Sequence, residues 1–76
     1  MTMAYVFLNT ESGEDKKILE GLKKIDEIKE FYDTRGVYNK VVKVEANGID
    51  ALKNVITYKL RQIPGVQSTL TTIVKE

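Results

Sequence analysis

The sequence predicts one α+β domain whose strands and helices follow the order β-α-β-β-α-β. Two amphipathic helical patterns separate four segments that are rich in β-branched and aromatic residues. A weak internal repeat also relates the two halves of the chain. The length of 76 residues suits a single domain, expected to span residues 1–76, because so short a chain has material for only one core.

The first half of the chain predicts a strand, a helix and a second strand. Residues 3–10 are mostly aromatic and aliphatic and predict the first strand, and residues 28–34 predict the second. Between them, Ser12 is the expected N-cap of a helix that has acidic residues in its first turn. Apolar side chains at spacings of four and three form the buried stripe of this helix: Ile18, Leu22 and Ile25.

The second half begins with a predicted hairpin and third strand. Residues 35–38 contain one glycine and join the second strand to residues 39–45, which predict the third strand. A link this short indicates that the two strands pair directly.

A second helix and a fourth strand follow. Asn47, with Asp50 three residues later, resembles a capping box in which Asp replaces the usual Glu. The helical stripe comprises five apolar residues: Leu52, Val55, Ile56, Leu60 and Ile63. Pro64 and Gly65 are expected to end the helix, and residues 66–74 predict the last strand.

The internal repeat makes the fold class more specific. An offset of 38 residues aligns similar side chains in both halves: Val6 with Val44, Ile18 with Ile56, Leu22 with Leu60, Ile25 with Ile63, Ile28 with Val66 and Thr34 with Thr72. Two amphipathic helices can align by chance, but this match also extends through the strands. Two βαβ halves predict a ferredoxin-like fold, an antiparallel four-stranded sheet with two helices on one face.

The face of the sheet without helices is expected to be a dimer interface. In the first strand, alternation places Tyr5 and Phe7 on that face, opposite Ala4, Val6 and Leu8. Large apolar side chains on an uncovered face are typical of an interface. The alternative is that they are tolerated surface aromatics. We predict that the chain dimerises through Tyr5 and Phe7.

Composition limits the possible functions. The chain has no Cys and no His, so thiolate and imidazole metal sites, disulfides and the usual nucleophile–base pairs are not expected. We therefore expect no metal, no cofactor and no enzymatic activity. Twelve basic and eleven acidic residues give a net charge of +1, which argues against specific DNA binding by this chain. No apolar run approaches the length of a membrane span, so a cytoplasmic protein is expected.

Short motifs along almost the whole chain resemble one family. Gly36-Val37-Tyr38-Asn39 and the following residues 41–44 are similar to the Gly-x-Tyr-Asp hairpin and third strand of the leucine-responsive regulator/AsnC (Lrp/AsnC) family. The segment 63–66, with Thr69, Thr71 and Val74 after it, resembles the final strand of the same family.

The resemblance implies a non-enzymatic sensor of small molecules that modulates transcription through assembly. Family regulators carry a DNA-binding helix-turn-helix domain before this module, and the sequence is expected to be the effector-binding (RAM) domain without it. In the family, these modules dimerise through their sheets, and dimers associate into rings, often octamers. Effectors, typically amino acids, bind between dimers. The implied partners are further copies of the chain, an effector and full-length family regulators.

Carried over residue by residue, the effector site comprises six positions: Gly36, Val37, Tyr38, Asn39, Thr69 and Thr71. Thr hydroxyls and backbone N–H groups suit a carboxylate, and Gly36 would permit close approach of the ligand. Each residue also has a structural explanation: Gly36 as a turn residue, Tyr38 as a packing aromatic and the threonines as strand formers. Asn39 stands where the family usually has Asp, which removes a negative charge from the position expected to bind an ammonium group.

Two other functional classes remain as alternatives. A ferredoxin-like RNA-binding module would use sheet aromatics for stacking, although residues 39–45 lack the usual Gly-aromatic pattern. A small oligomeric ferredoxin-like enzyme is the third possibility, and the absence of His and of a phosphate-binding glycine loop disfavours it.

Overall fold

The computed structural model describes residues 1–74 and confirms the predicted α+β ferredoxin-like architecture. The elements are β1 (Thr2–Thr10), α1 (Asp15–Lys23), β2 (Ile28–Asp33), β3 (Lys40–Ala46), α2 (Ile49–Val55), a π-helical segment (Ile56–Leu60) and β4 (Val66–Val74). Each strand lies within one residue of its prediction at either end. Within residues 1–74, no helix has the length and apolar character needed to cross a membrane.

The four strands form one antiparallel sheet in the order β2-β3-β1-β4. β1 lies in the interior of the sheet, with Val6 opposite Val42 on β3 and opposite Thr71 on β4. β2 and β4 are the edges. An irregularity between Ile28 and Glu30 bends the β2 edge.

One face of the sheet and the two helical segments enclose the core. The largest fully buried side chains come in equal part from the strands and the helices: Val6, Leu8, Val42, Val44, Ile18, Leu22, Leu52 and Leu60. Every residue of the two predicted helical stripes is buried. The first five pairs of the repeat join core residues or residues packed against the core. The repeat therefore reflects two half-domains that contribute equivalent side chains to one core.

The predicted helix starts are wrong. α1 begins at Asp15, with Glu14 at the N-cap position, and α2 follows Gly48 rather than Asn47; neither cap makes a side-chain hydrogen bond. After β1 the chain first forms a turn, in which the Glu14 N–H donates to the Glu11 carbonyl at 3.3 Å, so Ser12 lies inside the turn. The predicted cap residues, Ser12 and Asn47, therefore lie in the connections between strand and helix.

The second helical region ends in a wider turn than the first. The Arg61 N–H donates to the Ile56 carbonyl at 2.9 Å, a bond that spans five residues, as in a π-helix. Leu60 and Ile63 stay buried against the sheet beyond this turn. The helical region ends at Leu60, before Pro64 and Gly65, so the predicted helix end is wrong; Pro64 and Gly65 lie in the turn that leads into β4.

Candidate functional site

The predicted effector hairpin is a compact turn between β2 and β3. The Thr34 N–H donates to the Asn39 carbonyl at 2.8 Å, and the Thr34 hydroxyl donates to the Tyr38 carbonyl at 2.8 Å. Gly36 has φ +131°, which L side chains rarely adopt, and a Cβ there would meet nothing within 4 Å. Within one chain, Gly36 therefore provides the positive φ that the turn requires, in agreement with the turn-residue explanation given above. The space around it is open.

Asn39 attaches this hairpin to the end of β1. Its Oδ1 accepts from the Thr10 N–H at 3.2 Å and from the Thr10 hydroxyl at 3.1 Å, while its Nδ2 donates to the Thr10 carbonyl at 3.3 Å. The Asn39 N–H also donates to the Leu8 carbonyl at 3.1 Å. The Asn39 amide thus uses both its acceptor and its donor within the fold.

Tyr38 belongs to the side of the sheet without helices, called here the open face. Its ring packs against Phe7, with ring centroids 6.1 Å apart and an interplanar angle of 49°. The strand register places further apolar residues on this face: Met3, Tyr5, Tyr32, Val41, Leu70 and Val74. Tyr5 is 37% exposed and Leu70 is 50% exposed, so the chain itself leaves large apolar side chains of this face uncovered.

Two charged residues of the open face, Glu30 and Lys43, are paired with each other. The Tyr32 hydroxyl donates to Glu30 at 2.5 Å, and Lys43 lies 3.4 Å from the same carboxylate. The hydrogen bonds from Tyr32 and then Lys43 lower the pKa of Glu30, and the hydrogen bond between Tyr32 and Glu30 raises the pKa of Tyr32. Glu30, Lys43 and Tyr32 therefore form one hydrogen-bonded polar group beside the apolar residues of this face.

Thr69 and Thr71 lie on the opposite face of the sheet from Tyr38. They are paired with Leu8 and Val6 of β1, so they point to the side on which the helices pack. There they line a groove of about 330 Å³, called here the β4 groove. Its other lining residues come from the second helical region and the β4 edge: Lys53, Ile56, Thr57, Arg61 and Ile73.

The structure therefore separates the two halves of the predicted effector site. Gly36, Val37, Tyr38 and Asn39 do not line the β4 groove, although Thr69 and Thr71 do. The cationic residues that line the groove, Lys53 and Arg61, were not among the predicted site residues. Their spacing could have indicated them, since Lys53, Thr57 and Arg61 recur every four residues along one helical face.

Two further cavities are lined by residues that form ion pairs with one another. A cavity of about 620 Å³ includes Glu27 and Lys59, whose charged atoms lie 3.1 Å apart. A cavity of about 270 Å³ includes Lys40, which lies 2.6 Å from Asp33 and 3.4 Å from Asp15. These pairs join α1, β2, β3 and the π-helical segment, so they support the fold. Among residues 1–74, acidic side chains do not form a group of three that could hold a metal ion.

Both ion pairs favour the charged form of the residue concerned. Backbone hydrogen bonding and then Lys59 lower the pKa of Glu27, while the hydrogen bond to Asp33 raises the pKa of Lys40. The ion pair of Glu27 adds to the free energy of unfolding above the ordinary pKa of Glu27, 4.5, and this stabilisation is lost as the pH falls through the lowered pKa. The ion pair of Lys40 adds to the free energy of unfolding below the ordinary lysine pKa of 10.5, and this stabilisation is lost as the pH rises through the raised pKa.

Comparison with known proteins defines the family. Residues 3–76 match the Lrp/AsnC ligand binding domain. The chain is 33% identical over 72 residues to the HTH-type transcriptional regulator FL11 of Pyrococcus horikoshii, covering 95% of this chain and 47% of FL11. It is 43% identical over 56 residues to the regulatory protein AsnC of Escherichia coli, covering 74% of this chain and 37% of AsnC. The chain belongs to the Lrp/AsnC family, and it spans about half the length or less of these curated relatives.

Solved structures agree with this assignment. FFRP-DM1 superposes with a TM-score of 0.91 at 35% identity, covering 99% of this chain and 100% of that chain. A transcriptional regulator of Neisseria meningitidis, solved as a complex with L-Met, superposes with a TM-score of 0.90 over 99% of this chain and 50% of that one. At 14% identity, the second likeness shows the fold alone.

Proposed function

We propose that the chain is an effector-sensing module that modulates transcription regulators through its state of assembly. The open face carries this proposal, because it presents large apolar side chains on a sheet whose other face already forms the core. A second copy placed against it would remove Tyr5, Phe7 and Leu70 from water. Full burial of a large apolar side chain contributes about 1.5–3 kcal/mol, and dimerisation would add the fraction of this that corresponds to the surface still exposed.

The residues of the proposed effector site lie apart from one another within one chain. Val37 is 81% exposed at the tip of the hairpin, while Thr69 and Thr71 line the groove on the helix side. A small molecule would therefore contact both sets only if neighbouring chains bring them together, as expected for a site between dimers. We infer an effector of amino-acid size that bears a carboxylate, with amino acids and the corresponding 2-oxo acids as the candidates.

The partners follow from the same assembly. The open face and the effector site would accept a second copy of this chain, further dimers up to a ring such as an octamer, or the equivalent domain of a full-length regulator. Both curated relatives compared above, FL11 and AsnC, are transcriptional regulators, so we propose no enzymatic activity. With a net charge of +1, this chain by itself is not expected to bind DNA with sequence specificity.

An RNA-binding role is less consistent with the open face. Glu30 and Glu45 lie on that face beside the aromatic residues, through their register with Lys43 and Met3. Carboxylates beside the rings would repel a phosphate backbone, whereas single-strand binders combine aromatic rings with a positively charged groove.

A thermal-shift screen against the twenty amino acids and their 2-oxo acids, run beside sedimentation velocity, tests the proposal. At about 100 times its dissociation constant, an effector adds roughly 2.7 kcal/mol per site to the assembly that binds it. We expect at least one compound to raise the melting temperature and to shift the dimer–multimer balance together. If none of the compounds changes either measurement, the proposed function is wrong.

Val37→Glu tests the contribution of the hairpin. The side chain is exposed, so the substitution should leave the fold intact while placing a charge against an incoming neighbour. We expect the effect of the best compound on assembly to be lost. Ile49→Glu is the matched control, because Ile49 is also exposed but begins α2 and lines none of the three cavities. An equal response in wild type and Val37→Glu would remove the hairpin from the site.

A further inference from the structure

The β4 groove has an unusual charge composition for a pocket that would hold an amino acid. Two of its lining residues are cationic, Lys53 and Arg61, and three supply hydroxyl groups: Thr57, Thr69 and Thr71. The remaining two are the aliphatic residues Ile56 and Ile73. No Asp or Glu lines the groove. The groove therefore offers donors and cations for a carboxylate and an apolar wall for a carbon chain.

The hairpin does not supply the missing negative charge. The family position for an acidic residue holds Asn39, and the side-chain oxygen of Asn39 already accepts two hydrogen bonds from Thr10. The nearest carboxylate before the turn, Asp33, lies 2.6 Å from the Lys40 ammonium. An ammonium group at the hairpin would find neutral carbonyl groups, or would have to displace Lys40.

From these two observations we propose that the effector is a small aliphatic carboxylate without an ammonium group, such as a branched 2-oxo acid. Its carboxylate lies between Lys53 and Arg61, its 2-oxo oxygen accepts from the threonine hydroxyls, and its alkyl chain packs on Ile56 and Ile73. This inference rests on the proposed function, since it names the ligand class of the same effector site. The groove volume of about 330 Å³ lies at the lower end of the range found for small-molecule sites, about 300–1,000 Å³.

The discrimination against amino acids has a simple physical cause. An ammonium group that enters the groove meets the like charges of Lys53 and Arg61, and no lining carboxylate compensates this repulsion. A 2-oxo group replaces that ammonium with an acceptor, which hydroxyl donors can satisfy. The two ligands otherwise share carboxylate and side chain, so they form a direct test of the inference.

The experiment is calorimetry on the full chain with 4-methyl-2-oxopentanoate and L-leucine, which differ only at the 2-position. We expect the 2-oxo acid to bind at least about tenfold more tightly, a ratio that corresponds to 1.4 kcal/mol. Equal affinities, or tighter binding of leucine, would overturn the inference while leaving the proposed effector function in place. Failure of every amino acid and every 2-oxo acid to bind would overturn both.

Two charge-removing variants locate the site. Lys53→Gln and Arg61→Gln should each raise the dissociation constant of the 2-oxo acid by about tenfold or more, because each removes a charged hydrogen-bond donor. The double groove variant, which combines Lys53→Gln with Arg61→Gln, has Lys16→Gln with Lys23→Gln as its matched control. These two exposed lysines of α1 lie outside the groove, and their replacement removes the same total charge. An equal loss of affinity in the control double variant would show a general charge effect and overturn the assignment of the groove.

Discussion

At the scale of single residues, Asn39 has a structural role that its motif does not reveal. It stands in the hairpin motif of the family, and its amide joins the hairpin to the end of β1 through Thr10. The motif position could be found from sequence because the motif is local. The structural role could not, because Thr10 lies 29 residues away and only the sheet brings the two residues together.

Substitutions at Asn39 should measure this structural role. Asn39→Ala removes three hydrogen bonds to Thr10, a buried residue, and should lower the free energy of unfolding by about 1–3 kcal/mol. Asn39→Asp loses the donor to the Thr10 carbonyl and adds a negative charge beside it, but it keeps the acceptor of the other two hydrogen bonds, so its cost should be smaller. Urea denaturation at one protein concentration measures both, with the exposed Asn47→Ala as control. Equal stability of Asn39→Ala and the control would show that the amide does not hold the junction.

At the scale of elements, periodic patterns were predictable and the connections between elements were not. The strands and both buried stripes could be predicted from alternation and from the three–four spacing. Each of these elements buries one face against the core, and this burial leaves a regular period in the sequence. Helix starts depend on how many residues the chain needs to turn from a strand, which moved them to Asp15 and Ile49. The π-helical segment has no sequence pattern of its own that would have revealed it.

The connection into β4 carries a packing constraint that can be measured. Gly65 has φ +99°, and a Cβ there would lie 3.1 Å from Glu14 Cβ and 3.1 Å from Ile18 Cδ1. Gly13 has a similar φ of +87° but open space around it. Both Gly→Ala substitutions should strain the backbone by about 1–2 kcal/mol.

Only Gly65→Ala should add a steric cost, expected at about 1 kcal/mol or more, since α1 must move away from β4. Urea denaturation of the two variants gives this difference directly, because the backbone strain cancels. Equal destabilisation by the two alanines would mean that the contact between α1 and the start of β4 relaxes freely.

At the scale of the whole molecule, the sheet has two apolar faces and only one of them is covered by the chain. The alternation in β1 was enough to predict this, since Tyr5 and Phe7 fall on the face opposite the core. The β4 groove was not predictable in the same way. It needs a helical face and an edge strand that come together only after the second βαβ half is folded.

A charge on the open face should break self-association. Phe7→Glu places a carboxylate in the middle of that face, opposite Val41 and Leu70, and should raise the dimer dissociation constant by at least about tenfold. Tyr58→Glu is the control, because Tyr58 is 70% exposed on the helix side. Sedimentation equilibrium measures both variants. A wild-type chain that is monomeric and folded at micromolar concentration would contradict the predicted interface.

The strand order has a consequence for the time course of folding. β1 completes its hydrogen bonding only when β4 docks, and the register that pairs Tyr5 with Thr72 joins opposite ends of the chain. Closing so long a loop must precede those bonds, whereas helices form in about a microsecond or less. We therefore expect the docking of β4 to limit the folding rate. Until Val66–Val74 pair with it, β1 is an open sheet edge, and an edge of this kind favours pairing with other chains.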